Sequence, residues 1–141
     1  MTKRNAVPVV AVVAATALAW CGFFVHNMAE FPGQTIPTPD SLFPTLVWMA
    51  ALALWLVPTT RTAGAWMLLA WAVINLVGGA ISVLPLPFLP FDPEQTVEHY
   101  AFHGLYAATQ LPLIGLTAVW LSRRARARAR SGLSRGVRDS G

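Results

Sequence analysis

The stretch AGAWMLLAWAVINLVGGAISVL, residues 63–84, carries no charge and ends at Pro85. At about 1.5 Å rise per residue, a helix of this length crosses a hydrocarbon core about 30 Å thick, which takes about 20 apolar residues. The same property recurs on both sides of it. Between Arg4 and Arg61 the only charged residues are Glu30 and Asp40, and between Arg61 and Arg123 only Asp92, Glu94 and Glu98. Over all 141 residues, 11% are charged and 55% hydrophobic, whereas ordinary soluble domains carry about 25% charged residues. These proportions exclude a soluble domain and a disordered chain. The single cysteine excludes a disulfide scaffold or a cysteine-built zinc site. What remains is an all-α, polytopic integral membrane protein.

Four transmembrane spans are expected, at about 6–28, 41–57, 63–84 and 98–121. The first is stopped by Phe31-Pro32-Gly33, the second by Pro58, and the fourth by Ser122-Arg123-Arg124. Pro8 suits the first turn of span 1, and Ser41 suits the cap of span 2, with Pro44 at its third position. Asp92-Pro93-Glu94-Gln95 has the form of a capping box, which starts helix 4 near residue 93. Residues 1–122 then make a four-helix up-down bundle, and residues 123–141 a basic, disordered tail. Lys3-Arg4 with the following apolar run resembles a secretory signal, with Ala17-Leu18-Ala19 as its cleavage site. The apolar run continues past that site without polar relief, so span 1 is expected to stay uncleaved.

Charge sets the expected orientation. On a four-pass path all ten basic residues fall on one side: Lys3, Arg4, Arg61 and the arginines from Arg123 to Arg138. Five of the six acids, Glu30, Asp40, Asp92, Glu94 and Glu98, fall on the other. The positive-inside rule places both termini in the cytoplasm, and the expected location is the cytoplasmic (plasma) membrane, the cell inner membrane. The two outer loops are proline-rich, and the second also carries Leu86, Phe88, Leu89 and Phe91, suited to the interface or the bundle mouth. In the tail, Arg123 to Arg130 holds five arginines with no interleaved aromatic residue. Anionic lipid headgroups, about 1 kcal/mol per basic residue, are the expected partner, and nucleic acid is disfavoured.

Ionisable residues inside a span are costly and face the protein interior. On helix 4, Gln95, His99, His103, Tyr106, Gln110 and Thr117 share one helix face. On helix 1, His26 and Glu30 stand one turn apart. First and last helices of an up-down bundle are neighbours, so His26, Glu30, Glu98, His99, His103, Tyr106 and Gln110 form a candidate polar site at the extracytoplasmic mouth. Asn75 and Gln110 form a candidate contact at the bilayer midplane. If a metal is held, His26, His99 and His103 are its candidate ligands, and haem is the other cofactor such histidines suit. No nucleotide loop, nucleophile elbow or zinc-protease motif is present.

These residues suit a membrane protein that binds a small apolar ligand or a metal at that mouth, with or without catalysis. The competing expectation is a non-catalytic accessory or scaffold subunit, docked to a larger membrane complex or to its own copies. A proton-coupled carrier is weaker, because four short helices leave little room for alternating access.

Overall fold

The computed structural model describes residues 7–85 and 94–139. Among them it is all-helical and contains no strand: α1 (Val9–Glu30), α2 (Pro39–Leu56), α3 (Arg61–Ile74) and α4 (Val97–Asp139). A π-helical turn, Asn75–Ala80, and a 3₁₀ turn, Ile81–Val83, prolong α3 without a break. With that extension, all four helices are long and apolar enough to cross a membrane. α1 packs on α2 and α4, and α3 packs on α2 and α4, which closes a ring of helices.

Packing in lipid gains little from hydrophobic burial, so close backbone approach carries more of it. At the α2–α3 crossing, a Cβ on Gly64 would stand 2.2 Å from the Trp55 backbone nitrogen. Between α1 and α4, a Cβ on Gly22 would stand 2.7 Å from Thr109 Cβ. Around these crossings Val12, Ala15, Ala19, Trp48, Trp55, Leu68 and Leu113 form the main core. Of the adjacent Gly78 and Gly79, only Gly79 is closely packed: its missing side chain makes room for the Tyr106 ring, while Gly78 faces open space. Val10, Leu46, Met49, Ile74, Val77 and Leu111 point outward, an apolar surface that matches acyl chains. Cys21 is also exposed on α1 rather than packed.

Helix boundaries differ from the sequence expectation in instructive ways. Pro8 is the residue before α1 rather than within its first turn, and the helix runs on to Glu30. The chain then reverses through Phe31-Pro32-Gly33-Gln34, where Gly33 has φ 80° and the Gln34 N–H donates to the Phe31 carbonyl. Proline second and glycine third in such a turn are the residues its dihedrals favour. α2 starts at Pro39, two residues before the expected Ser41 cap; Ser41 instead donates to Gln34 Oε1 at 3.0 Å. Pro44 therefore lies inside the helix and leaves the Asp40 carbonyl without its helical donor. Asn27 Nδ2 of α1 fills that position at 3.2 Å.

At the opposite end, Arg61 donates to the Trp55 and Leu56 carbonyls and lies over the Trp55 ring, which caps α2 with a cation. α4 begins at Val97 rather than near residue 93, and residues 94–96 are not helical. The hydroxyl of Thr96 accepts from the His99 N–H at 3.3 Å and so supplies the cap. Gln95 turns away to donate to the Val83 carbonyl. Asp92 and Pro93 of the expected capping box, the loop residues Leu86, Phe88, Leu89 and Phe91, and Lys3 and Arg4 lie outside the described residues. α4 also continues past Leu121 to Asp139, where a disordered tail is expected from residue 123. Alanine and arginine are among the strongest helix formers, and the alternating run to Arg130 extends the helix. At 43 residues, α4 is about 65 Å long, twice the hydrocarbon thickness.

Candidate functional site

α1 keeps its pitch through its last turn, so His26 and Glu30 face the same way, toward α4. α4 presents His99 and His103 one turn apart at the same end of the bundle. His26 Nε2 and His103 Nε2 lie 3.1 Å apart across the two helices. His99 Nδ1 lies 3.0 Å from Glu30 Oε1. The His99 and His103 rings are 4.5 Å apart, as are those of His26 and His103. Four of the seven expected site residues thus form one contiguous cluster, and Tyr106 forms its floor, with its ring 4.8 Å from that of His26.

A second device positions His103. The π-helical turn ends at Ala80, where the 3₁₀ turn begins and the Leu84 N–H bonds to the Ile81 carbonyl. At that junction the Ala80 carbonyl also meets His103 Nδ1, at 3.1 Å. A carbonyl can only accept, so Nδ1 carries the proton and a neutral His103 offers the lone pair of Nε2 toward His26. His26 then donates through Nε2, and among the described residues its buried Nδ1 has no hydrogen-bond partner. An unpaired buried acceptor costs about 1–3 kcal/mol. π-Turns inside helices often mark functional sites, and this one holds a histidine in place.

The cluster opens into a cavity of about 280 Å³, which Phe31, Ser82 and Glu94 also line. Nothing in the spacing of the sequence singles out Phe31 or Glu94, whereas Ser82 falls on one stripe of helix 3 with Gly64, Trp71, Asn75 and Gly78. Ser82 is brought in by the tightened 3₁₀ end of the third span, where its hydroxyl donates to the Gly79 carbonyl at 2.6 Å. Glu94 precedes α4 and comes in because the helix starts late.

Other expected members lie elsewhere. Glu98 is exposed and lines an adjacent depression that it shares with Glu94, Thr96 and two members of the cluster, Glu30 and His99. Gln110 is fully buried about two turns deeper and donates to the Ala19 carbonyl at 3.0 Å. The expected contact between Asn75 and Gln110 is not formed. Asn75 Oδ1 accepts from the Tyr106 hydroxyl at 2.5 Å, and its Nδ2 donates to the Trp71 carbonyl at 2.7 Å. Tyr106 reaches Asn75 first because it stands one turn nearer the cluster on the same face.

Chemically, the arrangement offers imidazole lone pairs, the carboxylates of Glu30 and Glu94 and a half-enclosed space beside them, which suits ligand binding or proton exchange. Compared with protein-family models, with curated proteins and with solved structures, the chain finds no match.

Proposed function

We propose that this chain is a multi-pass protein of the plasma membrane, an up-down bundle with both termini in the cytoplasm, whose outward mouth binds a small ligand at His26, Glu30, His99 and His103. The observation that carries the reading is the 3.1 Å approach of His26 and His103 from two different helices. Interfacial histidines that merely end spans have no reason to converge. The sorting of basic and acidic residues to opposite ends supports the orientation. The arginine-rich extension of α4 then lies against anionic headgroups on the cytoplasmic face.

Thiol labelling tests this. In a Cys21→Ser background, Glu94→Cys at the rim and Ser82→Cys inside the cavity are expected to react with an impermeant maleimide added to intact cells. Ser122→Cys is expected to react only after permeabilisation. Labelling of Glu94→Cys only after permeabilisation overturns the orientation. Labelling of Glu94→Cys but never of Ser82→Cys from outside overturns outward access to the site, because the cavity would then be closed to solutes.

One observation favours the second reading, an accessory subunit. Gly104 and Gly115 on α4 face open space, and Ala108 between them is exposed too, a surface that a partner helix can approach. On that reading Gly104→Leu alters migration on native gels while His26→Ala does not.

A further inference from the structure

We infer that the ligand is a divalent transition-metal ion, held by the two Nε2 atoms of His26 and His103 and the carboxylate of Glu30. This rests on the ligand-site reading above and narrows it to one chemistry. In a tetrahedral site with metal–nitrogen bonds of about 2.0–2.1 Å, neighbouring ligand atoms stand about 3.3 Å apart. The two imidazole nitrogens are already 3.1 Å apart, so a cation can take the place of their hydrogen bond with a shift of a few tenths of an ångström, the His26 proton moving from Nε2 to Nδ1. Ligand atoms of His26, Glu30 and His103 all lie within 4.8 Å of one another. Closing the third bond takes a rotation of the Glu30 side chain, which is 25% exposed and ends its helix.

The surroundings fit a metal centre. Metal-bound histidines usually donate their other N–H to a carbonyl or carboxylate, which fixes the ring and its tautomer. His103 does so to Ala80. His99, whose Nδ1 meets Glu30, positions the carboxylate rather than binding the ion. Imidazole donors select zinc, copper, nickel or iron over calcium and magnesium, which prefer oxygen. Three protein ligands leave a fourth position toward the cavity, the pattern of sites that keep an exchangeable water. The exposed Glu94 and Glu98 at this end raise the local cation concentration. A haem between the two histidines does not fit, because a porphyrin cannot enter where the nitrogens are already in contact.

The test uses the full-length protein, purified in detergent and stripped with a chelator, with zinc chloride as the probe. Calorimetry with elemental analysis after gel filtration is expected to give one zinc per chain. His26→Ala and His103→Ala are expected to weaken binding at least 100-fold. His99→Ala is expected to weaken it about 10-fold, the lower end for an outer-shell partner. His99→Gln, which keeps an N–H donor for Glu30, is expected to restore most of that loss, and Glu98→Gln to change nothing. Cobalt titration of the unmodified protein, which avoids misfolded variants, is expected to show the intense visible bands of a tetrahedral site. Absence of zinc uptake, or uptake undiminished in the His26→Ala/His103→Ala double variant, overturns the proposal. The two failures are separable: loss of zinc uptake with Ser82→Cys labelled from outside removes the metal and leaves the ligand site, while a silent Ser82→Cys removes outward access and leaves the zinc result standing.

Discussion

His103 concentrates the information available from single residues. Its place on the polar face of helix 4 was legible as a 3.6-residue period: His103, Tyr106, Gln110 and Thr117 are all buried. Its partners were not legible, because a backbone carbonyl presented by a neighbouring helix leaves no mark in residue type. The same separation applies to Tyr106, whose inward direction follows from spacing while its bond to Asn75 does not. Tyr106→Phe is expected to lower stability by at least the 0.6 kcal/mol or so typical of hydrogen bonds within membranes, because it strands Asn75 Oδ1 in a buried position. Gln110→Leu is expected to cost less, since Gln110 Oε1 has no partner among the described residues and the Ala19 carbonyl belongs to a helix. Unfolding in SDS mixed micelles, followed by circular dichroism, ranks the two. A larger loss for Gln110→Leu than for Tyr106→Phe would contradict this account.

At the scale of helices, the glycines divide by what stands opposite them. Gly64 meets backbone, which cannot move aside without separating α2 from α3. Gly64→Ala and Gly22→Ala are therefore expected to destabilise by about 1–3 kcal/mol, the usual cost of overpacking. Gly78→Ala is expected to cost nothing measurable, and the same unfolding assay separates the three. The start of α4 makes a similar case. Asp92 through Gln95 has the better capping spacing, but Gln95 is drawn to Val83 and Thr96 takes over the cap. Thr96→Ala is expected to cost about 1 kcal/mol and to loosen His99, seen as faster amide exchange over residues 97–100. Local rules rank caps correctly only while no tertiary contact competes for the same side chain.

Across the whole molecule, the two ends differ in chemistry. One end gathers Glu30, His26, His99 and His103 with Glu94 and Glu98 nearby, and the other is closed by Arg61 over Trp55 and Arg124 over Trp120. The aromatic–cation contacts suit a membrane–water boundary, where tryptophan rings and arginines collect. An alkaline phosphatase fusion after Gly141 is expected to be inactive, and a fluorescent protein fusion at the same point bright, as cytoplasmic location requires. The opposite pair of results would reverse the orientation. Replacing Arg126, Arg128 and Arg130 with glutamine is expected to reduce co-purifying anionic lipid, measured by mass spectrometry, because each removed charge forfeits about 1 kcal/mol of headgroup attraction.

The sequence by itself determined the number of spans, their apolar character and which faces of helices 1 and 4 turn inward. Those properties follow from composition and period, which each segment carries without its neighbours. Only the tertiary structure decided that His26 meets His103, that Glu30 pairs with His99, that Glu98 stays at the exposed rim beside them, and that Asn75 and Gln110 stay out of the cluster. These outcomes depend on the relative height and rotation of helices, and those are set by glycine contacts, an internal proline and one π-turn acting together.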